Sequence, residues 1–397
     1  MSTNVLVEYE ALAPTVALIR QVFSAFHEYY PECEFRYIRV SCITEKEFDW
    51  CDIIISVRGF SCISQDIAVL AKKYKKLFFL VMDDDLLNLP LDYPVLPCRI
   101  ESLRGILNNT DLIMTTNKLI GDKFIKIGEC NHYVLFDTVI DLKDMRLVGR
   151  LDSKINILYA ASKRHSVFFD TFVCPALLDA NFVNKWKGKI KFTFIGVNPQ
   201  TSDLREFYEV INLPMMNFDD YREYILKTGF DIGIAPIEND IFYHCKYYNK
   251  FLEYSFAGIL GVYTNCKPYN DIVKDSENGF LASNSIEGWQ NAIENAIYNV
   301  ENGNSCLKNA QELLKEKFTK DVIAKSLYDS IPFLSSYKSP KIKSKISVFI
   351  RIKYYFFRLK EYFFFIRLYL KKEGLIKTIF RSIRHIRDVA EYNKNGI

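Results

Sequence analysis

The chain is short of what marks a metal or redox protein. Five histidines and ten irregularly spaced cysteines, none in a Cys-x-x-Cys pair, indicate neither a zinc site nor a disulfide framework. There is no Gly-x-Gly-x-x-Gly loop, so the dinucleotide fingerprint is missing, and no internal repeat points to a solenoid. No apolar run approaches the roughly 20 residues that cross a bilayer. The opening MSTNVLVEYEAL has no basic start followed by an apolar core, so no secretory leader is read there. Unpaired cysteines without a leader predict a reducing, cytoplasmic location.

With 49% apolar and 25% charged residues, the 397-residue chain has the composition of a globular protein large enough for two sizeable domains. Short apolar runs at 4–8, 35–40, 52–57, 76–82 (KLFFLVM), 110–116 and 131–136 predict strands. Helical spacing at 15–26, 63–73, 103–109 and 118–127 fills the gaps between them, and this alternation predicts a doubly wound sheet. Residues 137–153, charged and without clear period, are the candidate linker. A second α/β half follows, with strands predicted at 154–161 and 190–197 and helices at 168–181, 204–210 and 219–228.

That second half is organised around 230–282, FDIGIAPIENDIFYHCKYYNKFLEYSFAGILGVYTNCKPYNDIVKDSENGFLA. Its first apolar run, closed by Pro236, has the length of a buried parallel strand. Residues 249–258 carry Phe251, Leu252, Tyr254 and Phe256 and end on Gly258, where a helix terminus favours a residue free to take positive φ. A second short strand follows at 259–264. In open α/β sheets the ligand lies beyond the carboxyl ends of the strands, where a helix N-terminus presents unpaired N–H groups. Lys246, Asn249, Lys250 and Glu253 fall at that place. They offer two cations and an amide to an anion, and one turn on a carboxylate that accepts hydrogen bonds from sugar hydroxyls. The set fits a nucleotide sugar; the competing plain reading is a solvated glutamate on a surface helix.

The string CKYYNKFLEYSFAG at 245–258, with Pro268-Tyr269 and Glu277-Asn278-Gly279-Phe280 after it, resembles the donor-site signature of retaining glycosyltransferases of the GT-B class, the bacterial group 1 or family 4-like enzymes of polysaccharide biosynthesis. The resemblance implies that Glu253 binds the donor ribose and that Asn249 and Lys250 lie against its phosphates or base. It implies a diphosphate-binding turn at Lys163, Arg164 and His165, right after the strand at 154–161, with His165 matching the histidine of the family's TH pair. Basic side chains at that strand end suit a diphosphate on their own chemistry as well, although a solvated basic turn reads the same way. Residues 212–218 resemble the segment that meets the nucleobase, which places Met215 and Met216 beside it. The class needs no cofactor and no metal. One departure stands out: many relatives have a second glutamate eight residues before the first, and here that position is Cys245, with Glu238 and Asp240 the nearby carboxylates.

On the other half, Asp83, Asp84 and Asp85 end a predicted strand, and the spacing of Asp83 and Asp85 is that of a metal-binding DxD. The pattern of Arg58, this triplet and Leu89-Pro90 also resembles the acceptor domains of bacterial polysaccharide GT-B enzymes. The preferred expectation is acceptor-side carboxylates or a solvated helix N-terminus rather than a metal site, with Asp83 to Asp85 the catalytic candidates and Arg58 beside them.

The formal net charge of +4 conceals an asymmetry. From Lys338 onward there are sixteen Lys/Arg against four Asp/Glu, a local +12 that leaves −8 for the rest. In the same tail ten aromatics between Phe349 and Tyr369 are interrupted by Arg351, Lys353, Arg358, Lys360 and Arg367, too many charges for a spanning helix. Residues 375–392 have amphipathic spacing. The tail is expected to lie on an anionic membrane surface, with packing on the N-terminal domain as the rival reading and nucleic acid excluded for want of any nucleic-acid module.

The expected architecture is GT-B: two Rossmann-like doubly wound domains, 1–150 for the acceptor and 151–335 for the donor, facing a cleft, then a helical tail at 336–397. The expected partners are a nucleotide sugar and a lipid-linked saccharide, at the inner face of the plasma membrane. Two rivals remain: a sugar-nucleotide epimerase of the same fold, and a non-catalytic nucleotide-sugar-binding scaffold subunit.

Overall fold

The computed structural model describes residues 2–11, 13–88, 96–147, 153–200 and 202–375. Leu89-Pro90, linker residues 148–152 and nearly all of the segment 375–392 therefore lie outside the described residues.

Two parallel six-stranded sheets carry the molecule. The first is built from β1 (Thr3–Tyr9), β2 (Cys33–Arg39), β3 (Ile53–Val57), β4 (Leu77–Val81), β5 (Leu112–Thr115) and β6 (Tyr133–Leu135), in the order β2-β1-β3-β4-β5-β6. The second is built from β7 (Ile155–Ala160), β8 (Ile190–Ile195), β9 (Glu209–Leu213), β10 (Ile232–Ala235), β11 (Leu260–Thr264) and β12 (Phe280–Ala282), in the order β12-β11-β10-β7-β8-β9. The continuous apolar runs have a simple cause: alternate residues face opposite helical layers. Ile53 and Ile55 join the core against the helix Pro14–Tyr29, while Ile54 joins the core against the helix Cys62–Lys73. This is the GT-B arrangement of two Rossmann-like units. The strand order reverses beside β1 in one sheet and beside β7 in the other, which places the crevices at their carboxyl ends.

Two local expectations differ from the structure. The helix expected at 204–210 is a short turn, Asp203–Glu206, followed by β9, because Val210 and Leu213 pair along β8 as an edge strand. The helix expected at 168–181 is broken into Ser166–Phe168, a wide π turn at Phe169–Val173 and Cys174–Leu177. Pro175 has no N–H to return to the preceding turn, and Asp179 then caps a new helix, Ala180–Trp186.

The end of the chain returns to the first domain. The helix Lys320–Ser330 packs on Pro14–Tyr29, with Tyr30 and Tyr328 stacked at 4.3 Å and Ile323, Leu327, Ile331 and Leu334 inside the first domain's core. Residues 320–335, expected with the second domain, thus belong by packing to the first. Asp52, fully buried, then receives the Ser339 backbone N–H at 3.1 Å and Lys341 Nζ at 3.0 Å. The tail helix Val348–Glu373 lies along Cys62–Lys73, with Ile350 and Tyr354 against the core and Lys353 2.8 Å from Asp66. Arg99 grips Glu361 through Nε and through Nη2 at 3.0 Å, and reaches Glu10 at 3.1 Å. One face of the tail is therefore core, as the rival reading had it. The opposite face leaves Phe349 (77% exposed), Tyr355, Phe356 and Phe363 in solvent. Among the described residues no single helix is long and apolar enough to cross a membrane.

Candidate active site

The cleft-facing end of the second sheet holds a cavity of about 290 Å³, lined by the ends of β7 and β10, by His165, and by Lys246, Asn249, Lys250, Glu253 and Tyr269. The sequence builds it locally. Gly233 in β10 lacks a side chain, and a Cβ there would stand 2.6 Å from the Tyr254 ring, so the glycine lets the helix Asn249–Phe256 settle on the strand. Tyr254 Oη then donates to the Ile234 carbonyl at 3.0 Å. Gly258, at φ +73°, ends the helix. The Tyr248 side chain makes no capping bond at the N-terminus of this helix, and Asn249 and Lys250 of its first turn line the cavity, so the positive end of its dipole lies beside it.

Glu253 Oε2 accepts from Lys250 Nζ at 2.6 Å and from the Tyr221 hydroxyl at 3.1 Å. Burial opposes the charge of Lys250, but Glu253, together with the nearby Tyr254 and Tyr269, offsets it, so the lysine's pKa stands above its ordinary value. His165 behaves in the opposite way. Burial, and then the ammonium groups of Lys246 and Lys250, pull its pKa down to about 4, so it lines the cavity as a neutral imidazole. Its ring stands edge-on to Tyr243, and its carbonyl accepts from Tyr159 Oη at 2.7 Å.

A second cavity of about 370 Å³ opens at the ends of β8 and β9, lined by Lys163, Gly196, Asn198, Asn212, Pro214 and Met215. Of the residues expected at a donor site, His165, Lys246, Asn249, Lys250 and Glu253 line the first cavity and Lys163 the second. Arg164 lines neither and stands near Tyr243. Met216 also lines neither and packs on the core of its own domain, while the exposed Met215 lines the second cavity. Tyr221 was not singled out from sequence: the helix Phe218–Thr228 carries no motif, and only its packing beside Glu253 reveals it.

Across the cleft, Arg58 sits at the end of β3 with φ +53° and binds Asp83 in bidentate fashion, at 2.5 and 2.9 Å. The same guanidinium reaches Asp84 at 2.7 Å, and Thr15 Oγ1 donates to Asp83 at 2.6 Å. Asp85 is different. Its side chain is fully buried, with both oxygens 2.6 Å from Lys123 Nζ, and it caps the turn at Leu87 and Asn88. As a catalytic candidate Asp85 is corrected to a structural ion pair, because nothing outside the fold reaches it. Asp83 and Asp85 hold different cations and share no site, and no cluster of metal-ligating residues occurs among the described residues. Cys245 likewise lies outside the first cavity, buried in the first domain's core, while Asp240 caps the turn Ile241–His244 and Glu238 is exposed.

No protein-family model matches the sequence, and no curated protein matches it either. The fold is shared with solved structures. Anabaena HepE in complex with UDP superposes with a TM-score of 0.60 at 11% identity, covering 83% of this chain and 100% of that one. Sucrose-phosphate synthase from Thermosynechococcus elongatus gives 0.57 at 12% identity, over 84% and 99%. The E. coli structure described as trehalose-6-phosphate bound with UDP-2-fluoro glucose gives 0.56 at 10% identity, over 85% and 100%. At these identities the likeness establishes the two-domain GT-B fold.

Proposed function

We propose that the protein is a glycosyltransferase that moves a sugar from a nucleotide-sugar donor to a saccharide acceptor. The observation that carries this reading is the convergence of Lys246, Lys250, an uncapped helix N-terminus and Glu253 on one cavity at the carboxyl ends of β7 and β10. In this reading the diphosphate lies against the helix and the two ammonium groups, the ribose hydroxyls donate to Glu253, and the base enters the second cavity beside Asn212 and Met215. UDP in HepE and UDP-2-fluoro glucose in the E. coli structure support a UDP-sugar donor.

The chemistry asked of the chain is modest. The bond from the anomeric carbon to the diphosphate breaks, the acceptor oxygen bonds to that carbon, and the acceptor's proton passes to the leaving phosphate oxygen. The charge that develops on the diphosphate is stabilised by Lys246, Lys250 and the helix dipole. Attack on the face the diphosphate leaves retains configuration and calls for no protein nucleophile, metal or cofactor. Asp83 and Asp84 with Arg58 form the acceptor side.

The acceptor we propose is a lipid-linked saccharide of bacterial surface polysaccharide or glycolipid synthesis, met at the inner face of the plasma membrane. Its support is the exposed row Phe349, Tyr355, Phe356 and Phe363 on a helix within a tail of net +12, a composition suited to the headgroup region of an anionic membrane. A binding subunit without turnover is the second reading. It is favoured by Cys245, which offers the cavity no carboxylate where relatives of the resemblance carry one.

The test is binding of UDP-, GDP-, dTDP- and CMP-sugars to the wild type and to Glu253→Ala, followed by thermal unfolding. One nucleotide should stabilise the wild type, and the substitution should weaken its binding by roughly 10- to 100-fold, the worth of hydrogen bonds to a charged group. No stabilisation by any of the four, or equal binding by the variant, refutes the donor site. Binding with no transfer to a bacterial lipid extract would favour the subunit, and product formed without acceptor the epimerase.

A further inference from the structure

The loop 244–248 belongs to the second domain in sequence, yet the first domain holds it. Asn117, whose Oδ1 caps the helix Lys118–Phe124, donates from Nδ2 to the carbonyls of His244 at 2.8 Å and Lys246 at 2.9 Å. The hydroxyls of Tyr247 and Tyr248 both donate to Asp137 Oδ1 at 2.8 Å. Between them Cys245 is buried in the first domain's core. So clamped, the loop sets Lys246 Nζ 3.3 Å from Asp84 Oδ1 across the cleft, while the same side chain lines the donor cavity. One ammonium group stands between a carboxylate of one domain and the anion position of the other.

We propose that Lys246 and Asp84 form an exchangeable latch through which donor binding prepares the acceptor side. The proposal rests on the donor-site reading above. A nucleoside diphosphate in the cavity competes with Asp84 for Lys246. By taking it, the diphosphate frees Asp84 Oδ1 to accept a hydrogen bond from an acceptor hydroxyl. The local charges support the exchange. Arg58 and Lys246 balance Asp83 and Asp84, so withdrawing Lys246 leaves one net negative charge facing the cleft. Arg58 keeps its grip throughout, on Asp83 by two bonds and on Asp84 through Oδ2 at 2.7 Å, so Asp84 stays oriented as a positioning residue. Lys246 and Asp84 retain 30% and 24% of their side-chain exposure. An ion pair this open to water is weak enough to be traded for a diphosphate, and breaking it strands no buried charge.

The experiment is a double-substitution cycle read by calorimetric titration with UDP, GDP and dTDP, using whichever binds the wild type most tightly. Asp84→Asn keeps an oxygen for Arg58 and removes the competing charge, so it should tighten nucleotide binding roughly two- to fivefold. Lys246→Met should weaken binding, and in that background Asp84→Asn should bring no gain. Asp84→Ser is the second removal of the carboxylate should the asparagine variant misfold. An equal gain with and without Lys246 would mean a general field effect and overturn the latch, as would no gain when Lys246 is present. If none of the three nucleotides binds the wild type, the donor-site reading itself falls and this inference falls with it. Wild-type binding without coupling removes the latch alone.

Discussion

Glu8→Gln should alter how stability depends on pH, and in a direction unlike ordinary carboxylates. Glu8 lies in β1 opposite Ser56 of β3, at the floor of the first domain's crevice, with no solvent exposure. Ser56 Oγ donates to its Oε1, and its Oε2 has no hydrogen-bond partner among the described residues. Burial, opposed by the Ser56 hydrogen bond and reinforced by the charge of Glu10, raises its pKa from 4.5 to about 8. A group whose folded pKa lies above its unfolded one contributes stability below the unfolded value and loses it as pH rises through the folded value. The wild type should therefore lose about 3 kcal/mol from this group between pH 4 and pH 7, and about 5 kcal/mol by pH 9. Glutamine cannot ionise and holds its contribution constant. Scanning calorimetry of both proteins from pH 5 to pH 9 should show the variant gaining on the wild type as pH rises; subtracting one curve from the other removes the groups they share. A difference that does not change with pH would refute the buried, protonated assignment.

Two further expectations concern the tail. Arg99→Met leaves Glu10, at 13% side-chain exposure, without its cation and leaves Glu361, at 7%, only the half-exposed Arg358 at 2.9 Å. Losing one member of a buried pair costs roughly 3–5 kcal/mol, so the helix Val348–Glu373 should detach; limited proteolysis should then cut within 345–375, and unchanged resistance would show that Arg99 does not clamp it. Replacing Phe349 and Phe356 by Ser removes two exposed rings from the outer face. Cosedimentation with phosphatidylglycerol vesicles should fall by roughly tenfold or more, and equal binding by the variant, or equal wild-type binding to neutral vesicles, would count against the membrane-surface proposal.

Much of this molecule was legible in the sequence because it is local. The runs IIISV, LFFLV and INILYA encode strands buried on both faces, and the two halves each alternate strand and helix. Asn249, Lys250 and Glu253 reach one cavity because they share the first turns of one helix, which local sequence sets. Gly258 announced its helix terminus for the same reason, since only a residue without Cβ takes φ +73° freely.

Only the tertiary structure decided the rest. Tyr221 meets Glu253 from 32 residues away, and Lys246 meets Asp84 across 162 residues and two domains. Cys245, read as a missing ligand, is a core residue of the opposite domain. Asp83, Asp84 and Asp85 are alike in sequence and unlike in place, two of them bound to Arg58 at the cleft and one sealed against Lys123. The tail's aromatics divide between a core face and a solvent face according to where Arg99 fastens Glu361. Period and composition state that a side chain is to be buried or charged. Which neighbour covers it depends on how two sheets far apart in the chain are brought together, and that is set by packing rather than by any local pattern.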